Sequence, residues 1–443
     1  MHSSRASGTF YSLIAVSLGN ALEWFDWTIY SSFSYYLSAN LFDASDKTSA
    51  LLLTFAVFAS GFVARPIGGW LFGAFGDRLG RKGMLFLTMG LLFGASLLIA
   101  IIPSYAAIGS LASLALLVCR LIQGLAHGGE SGLSYTYIAE MAPAERRGLW
   151  SSAIFVSGTI GAIAATALAA ALTASLGREA MVSYGWRIGF AIGAILGLIV
   201  LVLRRNTGET QAFEALQQHP EVLRTVTAYQ KLVIFRNIIL CAAAGNAIYY
   251  TWVTFVPTIA ISKGMAPSSA YTASLLAQLV CVAWLPVAGW LSDKLGRKPI
   301  LLLFGIGVIA GVKPIASILT EQPWTLFVGQ AAGMCIWALN SAMFPALVAE
   351  QAPTSVRARG VGLVTSLSAA VFGGTAPYLN VWLTSIGQGY LFQYYVMGLG
   401  LLACVGALTI RESARVNIRD LGAETDGASG RSGRGVTHAV LRP

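Results

Sequence analysis

The chain has 443 residues, of which 56% are hydrophobic and only 11% charged, against about 25% charged in an average soluble domain. With a mean hydropathy of +0.68 it carries too little charge to cover a soluble globule. The same numbers exclude disordered, collagen-like, coiled-coil and disulfide-framework chains and leave a polytopic membrane protein. The N-terminal stretch MHSSRASGTF is polar and runs directly into a long apolar segment, so no cleavable leader is expected. Apolar runs then fall near 11–40, 51–76, 84–103, 107–138, 149–176 and 184–203. A polar stretch, 204–231, separates them from six more runs near 233–261, 270–291, 299–319, 324–348, 360–386 and 390–410. The last residues are rich in Gly, Ser and Arg and read as a disordered tail.

This pattern predicts an all-α membrane protein of twelve transmembrane helices. Its organisation is an N-terminal six-helix lobe over 1–203, a linker over 204–231, a C-terminal six-helix lobe over 232–411 and a tail over 412–443. The formal charge of +10 does not point to nucleic acid, because basic residues sit in short clusters between apolar runs and not on one polar face. Most of them fall on the side shared by both termini, with Lys47, Arg178, Arg187 and Lys263 on the other. By the positive-inside rule both termini are cytoplasmic. The five cysteines lie within apolar runs at no metal-type spacing, so they read as structural thiols and no metal site is expected.

The two halves repeat. Gly76-Asp77-Arg78-Leu79-Gly80-Arg81-Lys82 recurs as Ser292-Asp293-Lys294-Leu295-Gly296-Arg297-Lys298, and Ala139-Glu140-Met141-Ala142-Pro143 recurs as Ala349-Glu350-Gln351-Ala352-Pro353. Both copies of each motif fall on the same side, as two parallel six-helix lobes of a transporter require.

At these residues the chain resembles a known group. Gly73-Ala74-Phe75-Gly76-Asp77-Arg78-Leu79-Gly80-Arg81-Lys82 is similar to the signature between spans 2 and 3 of the major facilitator superfamily. Gly19-Asn20-Ala21-Leu22-Glu23-Trp24-Phe25-Asp26-Trp27 resembles the first-span signature of its metabolite:proton symporter family. Arg65-Pro66-Ile67-Gly68-Gly69, Arg120-Leu121-Ile122-Gln123-Gly124, Gly128-Gly129-Glu130 and Gly185-Trp186-Arg187-Ile188 match that family too. Within it, Phe55 to Phe62 and Val371 to Ala376 look most like α-ketoglutarate and dicarboxylate permeases, while His127 and Pro377 depart from the pattern. The resemblance implies the two-bundle major facilitator fold in a bacterial inner membrane, working as a monomer. It also implies proton-coupled import of a small carboxylate by alternating access. The alternatives are an aromatic acid such as shikimate, citrate, or a zwitterionic osmolyte such as proline or betaine.

Charges inside apolar spans are costly in lipid and must face a partner or a wet cavity. Glu23 and Asp26 share a helix face, where two carboxylates repel and one is pushed toward a neutral-pH titration, as proton coupling needs; the alternative is a structural pair. Arg65 and Arg120 each can grip a carboxylate with two parallel bonds, or be held by Glu23, Asp26 or Glu130 as scaffold. His127 and Glu130 join the proton-coupling candidates, as relay and coupling site or as helix-bracing groups. Gln123, Tyr30, Asn246 and Tyr250 are the remaining substrate-binding candidates, Asn246 and Tyr250 sharing one face. Asp77, Arg78, Arg81, Lys82, Asp293 and Arg297 are gating candidates by resemblance, Asp77 as a latch on a neighbouring helix end or basic residue. Lys313 either attracts an anion or snorkels to the interface. No Walker loop, zinc-protease or nucleophile-elbow motif is present, so the expectation is a transporter that uses no cofactor, is driven by the proton gradient, and is not an enzyme.

Overall fold

The computed structural model describes residues 2–43, 45–205, 207–210, 213–214 and 226–416. The expected tail from 417 onward and parts of the expected linker lie outside the described residues. Among the described residues there is no strand, as a bilayer demands of chains that do not close into barrels. Eleven helical segments are long and apolar enough to cross a membrane. A twelfth, α1 (His2–Ser32), has the length but is diluted by Asn20, Glu23 and Asp26.

The first half continues with α2 (Lys47–Leu79), α3 (Arg81–Ile101), α4 (Ser110–Met141), α5 (Arg147–Ala180, interrupted at Gly177) and α6 (Trp186–Arg205). The second half begins at α7 (Ala228–Ile248), which the Thr227/Gln230 capping box starts. It follows with α8 (Pro267–Leu295), α9 (Arg297–Ile318), α10 (Pro323–Ser341), α11 (Arg357–Ser368) and α12 (Gly389–Thr409). Pro267 and Pro323 open their helices, where a missing N–H costs nothing. Past α7 and α11 the chain widens into π-helical turns, Tyr249–Phe255 and Ala369–Gly373, and runs on as helix to Ser262 and Ser385. Such turns recur at functional sites.

Each half builds its own core. In the first, α1 packs on α5, α2 on α4 and α3 on α6; in the second, α9 packs on α12 and α8 on α10. The halves meet along two symmetry-related seams, α2 on α11 and α5 on α8. Both seams close at backbone distance through glycine pairs. A Cβ on Gly362 would lie 2.7 Å from the Gly69 carbonyl oxygen, and one on Gly289 would lie 2.6 Å from that of Gly148. Gly80 and Gly296, between α2 and α3 and between α8 and α9, take φ of 108° and 106°, a region that L side chains avoid. These two repeated loops mark one end of the molecule, the loop face.

Candidate functional site

The loop face carries a duplicated charge network. Asp77 accepts from the backbone N–H groups of Ala358 and Arg359 at the start of α11, both at 3.0 Å. Asp293 does the same to Gly148 and Leu149 at the start of α5, at 2.7 and 2.8 Å. Each carboxylate thus caps a helix of the other half, where orphan N–H groups and the helix dipole favour negative charge. Behind them the arginines are exchanged between halves. Arg147 Nη1 donates to Glu350 at 2.7 Å and Arg357 Nη1 to Glu140 at 2.7 Å. Arg81 and Arg297, both wholly buried, reach Asp77 and Glu140, and Asp293 and Glu350, respectively. Arg78 is exposed, and Lys82 contributes its backbone N–H, which donates to Glu209 at 3.1 Å.

Sequence reasoning passed over several members of this network. Thr210 and Ser413 donate to Glu140 and Glu350 at 2.6 and 2.5 Å. Glu412 accepts from Arg297 and Lys298 at 2.8 and 3.0 Å, as Glu209 does from Lys82. Burial pushes the Glu412 carboxyl up, but backbone N–H groups of Arg297, Ala414, Lys298 and Ser413 outweigh it and hold the pKa below its ordinary value. The signal was available: Arg147 and Arg357 repeat at the same spacing as Glu140 and Glu350, and Glu209-Thr210 is echoed by Glu412-Ser413. Residues 412–416 of the expected tail and 207–210 of the expected linker are therefore bound to the fold.

Between the halves, near the middle of α2, lies a cavity of about 690 Å³ including its mouth. The first half lines it with Arg65, His127, Trp24 and Tyr135 among others; the second with Asn246, Tyr249, Tyr250, Trp337 and Asn340. Its wall mixes aromatic side chains with about as many polar ones, hydroxyls and amides among them, which suits a small polar molecule.

Arg65 is the notable group there. It is 4% exposed. Its guanidinium stacks on Trp27 and on Phe62, each ring centroid at 4.1 Å. Among the described residues no carboxylate pairs with it, and its Nε is buried without a hydrogen-bond partner. Small residues bring its helix this close to α4: a Cβ on Gly124 would lie 2.8 Å from the Gly61 Cα, one turn from Arg65. His127 touches Arg65's neighbour Trp27 edge-on at 5.6 Å, lines the cavity, and on its far side meets Glu23 through Nδ1 and Oε1. Glu23, 1% exposed, stands behind His127.

The other predicted residues divide between buried networks away from the cavity and its second-half wall. Arg120, Asp26, Gln123 and Ser96 form a closed buried ring. Arg120 Nη1 donates to Gln123 at 2.6 Å and to Asp26 at 3.5 Å; Ser96 donates to Asp26 at 2.5 Å and accepts from Gln123 at 3.1 Å. Arg120 stacks on Trp27 and Tyr30, both at 4.2 Å, and Tyr30 donates to the Thr54 carbonyl at 3.0 Å. None of Arg120, Gln123 and Tyr30 is in the cavity wall. Glu130 accepts from Arg204 at 2.5 and 3.0 Å, from Thr88 at 2.8 Å and from Ser134 at 2.9 Å, also away from the cavity. Asn246 lines the cavity and spends its N–H groups on the Ala242 carbonyl and Ser368, at 3.1 and 3.2 Å; Tyr250 lies beside Phe62, ring centroids 5.9 Å apart. Lys313 is exposed, its Nζ over the Tyr394 ring at 4.6 Å, and does not line the cavity. Among the described residues no group of His, Cys, Asp and Glu has metal-binding geometry.

Comparison with known proteins agrees with this architecture. The sequence pattern of the Major Facilitator Superfamily matches residues 16–377. The α-ketoglutarate permease of Escherichia coli (strain K12) is 34% identical over 420 residues, covering 93% of this chain and 96% of the relative. The citrate-proton symporter of Klebsiella pneumoniae is 35% identical over 381 residues, covering 83% and 84%. A solved proton:xylose symporter bound to 6-bromo-6-deoxy-D-glucose superposes with a TM-score of 0.79 at 18% identity, over 95% of this chain and 99% of that one, a likeness of fold. The chain belongs to the Major Facilitator Superfamily and is a multi-pass membrane transporter, not an enzyme.

Proposed function

We propose that this protein imports a small carboxylate, α-ketoglutarate or a related dicarboxylate, together with protons, by alternating access between its two lobes. The observation that carries this reading is Arg65, an arginine in the cavity wall with no carboxylate partner among the described residues. A permanently charged fork held against two rings is poised for a bidentate carboxylate. The named activities of the α-ketoglutarate permease and the citrate-proton symporter support the same substrate class.

In this reading Glu23 and His127 carry the coupled proton. A carboxylate and an imidazole in contact, one beside the cavity, exchange charge with whatever anion Arg65 holds, so proton and substrate bind cooperatively. Asn246 and Tyr250 complete the site from the second lobe. Arg120, Asp26, Gln123 and Glu130 hold the first lobe's helices together and position Trp27. The loop-face network, with Asp77 and Asp293 as its latches, keeps that face shut and makes this an outward-facing or occluded state. The positive-inside rule puts the loop face and both termini in the cytoplasm. One chain supplies both walls of the cavity, so a monomer suffices, and the proton gradient replaces any cofactor.

The test is uptake into proteoliposomes. Labelled α-ketoglutarate should accumulate under an outside-acid pH gradient and leak back on addition of a protonophore. Accumulation indifferent to the gradient, or a response to proline or betaine alone, contradicts the proposal.

A further inference from the structure

The charges around the cavity cancel in an uneven way. Asp26 neutralises Arg120 and Glu130 neutralises Arg204. Three groups remain: Arg65, Glu23 and His127. The charged and titratable groups around His127 are Glu23 on α1, Arg65 on α2, and Arg120 and Glu130 on its own helix, the last two already paired. Across the cavity, the titratable groups among the described lining residues are the phenols of Tyr249 and Tyr250, and Tyr135 lies two turns along α4. With Glu23 ionised and His127 neutral, the trio sums to zero. Each added proton raises it by one unit, and the trio has two places for protons.

An uncompensated charge is expensive in a buried low-dielectric site. A substrate with one carboxylate is therefore balanced by one proton on the trio. A fully ionised dicarboxylate needs two, one on the Glu23 carboxyl and one on the His127 imidazole; both leave to the far compartment with the substrate. The position matters because a chain with a small apolar residue in place of His127 keeps only the Glu23 proton site.

Resting on the carboxylate reading above, we infer that His127 sets the proton count of this transporter, so that one proton accompanies each carboxylate charge and a dicarboxylate crosses without net charge movement.

The coupling ratio is read from reversal potentials in proteoliposomes, with α-ketoglutarate gradients balanced against imposed pH gradients and potassium-diffusion potentials. The wild-type protein should move two protons per α-ketoglutarate and be insensitive to membrane voltage. His127→Gln and His127→Ala should fall to a ratio of one and become slower under an interior-negative potential. A purely packing role for His127 changes rates and leaves the ratio alone. A wild-type ratio of one overturns the inference even if neither variant folds, and so does a ratio of two in either variant. Absence of any α-ketoglutarate movement, counterflow included, removes the carboxylate reading itself and the inference with it.

Discussion

The loop face and the central cavity both bury arginines, and they treat them oppositely. At the loop face Arg81, Arg147, Arg297 and Arg357 each meet a carboxylate, and the carboxylates in turn are tied to hydroxyls, backbone N–H groups or second arginines. Removing a member of such a set strands its partner, so these charges bind the two lobes together. In the cavity Arg65 has stacking rings and no carboxylate within ion-pair distance among the described residues, Glu23 balancing its charge without touching it. Arg120, one indole away on the same Trp27, is paired through Nη1 with Asp26 and Gln123, although its Nε and Nη2 are also buried without hydrogen-bond partners. The difference that separates them is the carboxylate in contact, which Arg81 and Arg120 have and Arg65 lacks among the described residues; on the carboxylate reading that is the place for a ligand.

That contrast can be broken at several points. The largest effect is expected from Arg120→Ala, which leaves Asp26 buried and unpaired at a cost of about 3–5 kcal/mol. The purified variant should melt far earlier and yield poorly; a wild-type melting temperature would refute the scaffold role. Glu23→Gln should abolish proton-driven accumulation while counterflow exchange of substrate persists. Equal loss of both would remove Glu23 from the coupling step. A smaller effect is expected at the loop face. Asp293→Ala takes the cap from α5 and loosens the α5–α8 seam by about 1.4 kcal/mol, about tenfold in population. A cysteine at Ser131 in a cysteine-free background should then react about ten times faster with an impermeant maleimide applied from the loop face. An unchanged rate would show that the glycine seams alone hold that face shut.

The smallest effect is at Glu412. Its pKa is lowered on folding, so its stabilisation is present above the unfolded-state value of about 4.3 and fades as pH falls through the folded one. Glu412 is exposed, and solvent screening keeps the contribution below about 1 kcal/mol. Glu412→Gln should melt slightly lower than wild type at pH 7, with the gap closing as the solution is acidified. A gap that persists at low pH would contradict a charge-based role.

Much of the fold was legible in the sequence because bilayer thickness and backbone satisfaction leave few choices: apolar runs give helices, basic loops give sidedness, and the repeated Asp77 and Asp293 loops give two lobes. The intramembrane charges were legible as a set, since each stands out against an apolar background. Their division of labour was not. Arg65 and Arg120 look equivalent along the chain, and only the packing of α1 against α3 and α4 shows that Asp26 reaches the second and misses the first. The aromatic part of the wall was hidden for a different reason. Trp24, Tyr135 and Trp337 have the composition of packing residues, and nothing in their spacing says that they border a void. The network of Glu209, Thr210, Glu412 and Ser413 left a trace in the repeat, but it lies in polar segments that composition assigns to linker and tail.

The account stands on Arg65 as the carboxylate-binding cation. Its most direct test is calorimetric titration of α-ketoglutarate into purified Arg65→Ala, with the melting temperature of the same sample recorded alongside. Binding weakened by about a hundredfold, about 2.8 kcal/mol, in a protein that melts close to wild type is the predicted result. Affinity equal to wild type in the folded variant would contradict it.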